Sequence, residues 1–63
     1  MTDDKIGHDL KNQLAIILGF SEILLAETAD ADPRYGDLKE IHTASVTALE
    51  LLARLFPDDS LSG

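Results

Sequence analysis

The sequence predicts an all-α protein: an antiparallel helical hairpin that pairs into a homodimeric four-helix bundle. Three observations carry that expectation. Residues 6–25, IGHDLKNQLAIILGFSEILL, place apolar side chains at helical spacing. Ala29-Asp30-Ala31-Asp32-Pro33 then interrupts the pattern with a helix-start signal. A second apolar periodicity follows as far as Pro57, in two files that step by seven. With 63 residues there is room for one small domain, expected over residues 1–57, with a polar tail at 58–63.

The first helix is expected over about residues 3–28. Thr2 suits the N-cap, and Asp3 and Asp4 suit the first turn, where carboxylates meet the positive end of the helix dipole. Wound as a helix, Ile6, Leu10, Leu14, Ile17, Leu18, Leu24 and Leu25 gather on one broad face. His8, Asn12, Ala15 and Gly19 fall on the other side. Gly19 costs about 1 kcal/mol of helix propensity against alanine. It allows either a close helix–helix approach or clearance for a docking partner.

The second helix is expected over about residues 33–56. Asp32 serves as N-cap and Pro33 as first residue, because the N–H that proline lacks would be unpaired there in any case. Pro57 ends it. Leu38, Ser45 and Leu52 form one heptad file, and Ile41, Ala48 and Leu55 the other. A short loop between two such helices gives a hairpin. Ile16 and Ile23 lie to the side of the first helix's main stripe, so a single partner helix leaves them wet and a second hairpin is expected to cover them.

Composition narrows the function classes. At 44% hydrophobic and 27% charged, the chain has the makeup of a folded protein and not of a disordered one. It has no cysteine and two histidines, which excludes disulfides and disfavours a structural zinc site, leaving association to stabilise so small a scaffold. The net charge of −7 opposes nucleic acid and anionic membrane surfaces. No apolar run approaches the roughly 20 residues that cross a bilayer. The acidic start is unlike a secretory leader, so a cytoplasmic location is expected.

His8 is the residue with chemistry to offer. A neutral imidazole keeps a lone pair on one ring nitrogen. Such a ring is a competent nucleophile toward phosphorus. Asp9 can accept a hydrogen bond or a proton from the other ring nitrogen, although adjacent helix residues point about 100° apart. Asn12, one turn further on, has an amide able to hold a water or a phosphoryl oxygen. His42 sits at the edge of the second helix's stripe, near Leu38 and Leu49, and is read as a boundary residue without chemistry.

The run His8-Asp9-Leu10-Lys11-Asn12-Gln13-Leu14, continued by Ile17-Leu18-Gly19-Phe20-Ser21-Glu22-Ile23-Leu24, resembles the H-box of the dimerisation and histidine-phosphotransfer domain of sensor histidine kinases. The resemblance is specific at the motif and architectural beyond it. It implies that His8 is the phosphoacceptor and that Asp9 assists its phosphorylation. It also implies that Asp9 with Asn12 matches the pattern tied to dephosphorylating a partner regulator. Lys11, Ala15 and Gly19 are the docking residues expected beside His8. The partners implied are a second copy, a response regulator receiver domain, and a separate histidine kinase or ATP-binding domain as phosphoryl source.

Two departures from the family pattern stand out. Gln13 occupies the place where many members have proline, which puts a helix kink there in doubt. These residues also contain no glycine-rich loop or nucleotide-binding acidic motif, so no cofactor is expected and no autonomous ATP-dependent kinase activity. A piece of a longer kinase and a small free-standing carrier both fit. The alternative function is a non-catalytic helical module that dimerises, or binds and inhibits a kinase or regulator, with His8 chemically idle.

Overall fold

The structure, a computed structural model, describes residues 2–55, with side chains from Lys5 onward. The expected Thr2 cap, the Asp3 and Asp4 side chains, the Phe56–Pro57 stop and the 58–63 tail lie outside what is described. Helix α1 is Thr2–Glu27 and helix α2 is Pro33–Leu55. The two pack side by side as an antiparallel hairpin of 46 × 18 × 15 Å. The expected hairpin is therefore present.

The turn is built by local hydrogen bonds. The Thr28 hydroxyl donates to the Leu24 carbonyl (2.6 Å), and the Asp32 N–H donates to the Ala29 carbonyl (2.9 Å). Asp32 then starts α2: its Oδ1 accepts from the Arg34 N–H at 2.8 Å, the bond an N-cap makes to the second helical residue. Pro33 takes the first helical position, as its missing N–H favours.

Side chains that face the neighbouring helix recur every three or four residues. On α1 they are Leu14, Leu18, Ser21, Leu25 and, just past its end, Thr28, with Gly7 one heptad above Leu14. On α2 they are Tyr35, Leu38, His42, Ser45, Leu49 and Leu52. This alternation belongs to shallow left-handed packing. The seam is poor in large buried groups. Leu52 is the one buried hydrophobic side chain among the described residues, at 8% exposure. Ser21 and Ser45 are buried deeper, and their hydroxyls donate to the Leu18 and Ile41 carbonyls of their own helices (2.7 and 2.8 Å). Neither hydroxyl needs a partner across the seam, so small side chains let the helices close without an unpaired polar group.

This seam divides the faces read from sequence. Of the broad stripe on α1, Leu14, Leu18 and Leu25 meet α2, whereas Ile6, Leu10, Ile17 and Leu24 remain 45–62% exposed. On α2 the file Leu38-Ser45-Leu52 lies in the seam as expected. Its companion there is Tyr35-His42-Leu49 and not Ile41-Ala48-Leu55, since Ile41 and Leu55 are 46% and 71% exposed. The physical reason is angular. The two α2 candidate files lie only about 100° apart around the helix, and one neighbour can cover one of them.

Candidate functional site

His8 stands exposed in the second turn of α1. At about 100° per residue it points more than a right angle away from the centre of the seam. Lys11, Asn12, Ala15 and Gly19 occupy the same flank; the first three are exposed and Gly19 is half-buried. Asn12 lies one turn, about 6 Å, along the axis from His8. A Cβ built on Gly19 would have nothing within 4 Å, so this glycine does not mark a close approach inside the hairpin.

Asp9 does not join that group. It projects around the helix from His8, and its carboxylate lies 3.5 Å from the Lys5 ammonium, one turn back. Both partners are largely exposed, so the pair costs little to open. Four of the expected site residues thus gather beside His8, and the fifth, Asp9, sits apart.

A contact between the helices was missed in the sequence. His42 Nε2 and Glu22 Oε2 are 3.2 Å apart. His42 is therefore more than a boundary residue: about two thirds of its side chain is covered, and it ties α2 to the flank of α1 that carries His8. The available signal was the seven-residue step from Tyr35 through His42 to Leu49, which places the histidine in the seam. The Glu22–His42 contact also marks the register, so that residues equally far from it on the two helices lie roughly level.

The opposite flank differs in character. Leu24 and Thr28 share a groove with Arg34, Asp37 and Leu38, so these edges of α1 and α2 lie on one side of the hairpin. Ile6, Asp9, Leu10 and Gln13 line a second shallow depression further up that side of α1. One flank is thus polar, with His8, Asn12 and the Glu22–His42 pair, and the other sets Ile6, Leu10 and Leu24 among charged groups such as Asp9, Glu27, Arg34 and Asp37. Among the described residues no cluster of His, Cys, Asp or Glu could hold a metal ion, and no helix is long and apolar enough to cross a membrane.

At the loop end, the Arg34 guanidinium donates to both Asp32 oxygens (3.1 and 2.9 Å). That side-chain hydrogen bonding, helped by the Arg34 backbone N–H, holds the Asp32 carboxyl down at about 2 and raises Arg34 in turn. This pair shapes the turn and lies far from His8. Comparison with protein-family models, curated proteins and solved structures finds no match to this chain.

Proposed function

We propose that this chain is a histidine phosphotransfer module of two-component signalling, acting as a homodimer. One observation carries the reading. His8, Lys11 and Asn12 of the H-D-L-K-N run share one exposed helical flank, with Ala15 and Gly19 giving a partner room to approach His8. In the reaction a lone pair on one His8 ring nitrogen attacks phosphorus. A P–N bond forms, and the P–O bond to the donor breaks, its electrons leaving with the donor oxygen. The proton on the other ring nitrogen is then free to depart to water or to Asp9, which would have to leave Lys5. Donation to a regulator's aspartate runs the same steps in reverse. The motif and the exposed flank support this assignment, and the resemblance supplies the role of each residue.

The test is direct. The protein is incubated with a histidine-kinase catalytic domain and labelled ATP, or with a phosphorylated regulator. Acid-labile label is expected on the wild type and absent from His8→Gln, whose side chain has no ring nitrogen to form the P–N bond. Full labelling of His8→Gln would end the assignment. In the same assay Asn12→Ala is expected to keep its label while slowing loss of the regulator's aspartyl phosphate. The competing view, a non-catalytic binding module, predicts no label on either protein and full partner control by His8→Ala in cells.

A further inference from the structure

We infer that the Glu22–His42 contact selects which of two apolar faces each helix turns inward, and so holds His8 on its exposed flank. The inference concerns the packing within one hairpin and needs none of the phosphoryl chemistry proposed above.

Each helix carries a second apolar file beside the one that meets its neighbour. On α1 it is Leu10-Ile17-Leu24, and on α2 it is Ile41-Ala48-Leu55. Both files turn away from the seam to the same side, that of the Leu24–Asp37 groove, opposite the Glu22–His42 contact. Their levels match. Counted from Glu22 and His42, Leu24 lies roughly level with Ile41, Ile17 with Ala48 and Leu10 with Leu55, each within about one residue, or 1.5 Å. A turn of each helix about its own axis by roughly 80–90° would set these files face to face. Ile16 and Ile23, 52% and 50% exposed, point nearly opposite to the seam and belong to neither arrangement.

Apolar content does not choose between the two. The seam in use includes Gly7, Ser21 and Ser45, whereas the files left outside it contain no polar residue. The Glu22–His42 contact does choose. Its 3.2 Å approach requires both side chains at one edge of the seam. The turn that would join the outer files carries both side chains away from that edge, and their hydrogen bond is lost. One polar contact in an apolar interface can fix a single packing among near-equals in this way. His8, Ala15 and Glu22 step by seven along α1, so the setting that keeps Glu22 at the seam's edge also keeps His8 on that flank.

Disulfides formed within one chain read the choice, since the protein has no cysteine of its own. Leu18→Cys with Ser45→Cys reports the seam in use, and Ile17→Cys with Ala48→Cys reports the other. Each pair is level to within about one residue. Both are oxidised at low concentration, and intact mass separates closed single chains from linked copies. The first pair should close faster than the second. His42→Ala or Glu22→Ala should narrow that ratio about tenfold, the shift that one hydrogen bond to a charged group gives. Glu22→Ala, at a largely exposed position, keeps the test decisive if His42→Ala does not fold. The exchanged double variant, Glu22→His with His42→Glu, should recover the ratio. An unchanged ratio in helical Glu22→Ala chains would overturn the inference. So would an exchanged variant as mixed as the single ones, which would place the effect in packing alone.

Discussion

Asp32 accepts three hydrogen bonds from one residue, Arg34, and every one of them favours the ionised carboxylate. Its carboxyl is held near 2, against an ordinary 3.8. A carboxyl depressed on folding stabilises the folded chain fully above its unfolded pKa, and that stabilisation disappears as pH falls through the folded value. The hairpin should therefore lose stability between about pH 4 and pH 2 for this reason. Asp32→Asn keeps a capping oxygen but does not titrate. Thermal melts at pH 5, 4, 3 and 2 should show the wild type losing its advantage over Asp32→Asn across that interval. Parallel curves would mean that the Arg34 contact does not bear on stability. This residue was legible in advance because aspartate before proline has a local meaning. Asp9 was not. Its neighbour in sequence is His8, but helix geometry and Lys5 draw its carboxylate elsewhere.

At the scale of the helix, the same apolar residues serve two surfaces. The period of each helix and its approximate limits could be read from the sequence, because periodicity and turn chemistry are local. The division of α1's broad stripe between an inner and an outer surface could not. It depends on how each helix is rotated about its own axis, and Leu14 and Ile17 differ by only about 60° on that circle. The Glu22–His42 contact was hidden for a related reason, since register across a hairpin is set by the loop and by packing. The assignment gives a paired prediction. Leu52→Ala removes the most buried leucine of the seam and should destabilise the fold by about 2 kcal/mol, the low end for such truncations, because the site is at a shallow interface. Ile16→Asp, on the outer edge, should change stability by no more than about 0.5 kcal/mol. Urea unfolding of the two variants measures both. A large loss from Ile16→Asp would return Ile16 to an interface, as the sequence first led us to expect.

For the whole molecule, charge and apolar area act against each other. Each copy carries a net charge of −7, so bringing two together is opposed by long-range repulsion. The apolar flank adds to that repulsion at its edges, where Asp9, Glu27 and Asp37 line its depressions. Its files are Leu10-Ile17-Leu24 and Ile41-Ala48-Leu55, while acids such as Glu22, Glu40 and Glu50 lie elsewhere on the helices. Salt should then separate an apolar interface from an ionic one. Raising ionic strength from 0.01 to 0.15 M shortens the screening length from about 30 to about 8 Å, which weakens repulsion between exposed charges and hardly touches buried apolar contacts. Dimerisation through the apolar flank should tighten several-fold over that range, read as a falling Kd in sedimentation at fixed pH. Ile17→Asp, which would bury a carboxylate at the centre of the face, should abolish the dimer at both salt concentrations. If the wild-type Kd instead rises with salt, ion pairs hold the copies together. The polar flank, with Lys11, Lys39 and Glu50, would then be the contact surface, and His8 would lie against the second copy instead of facing its partner.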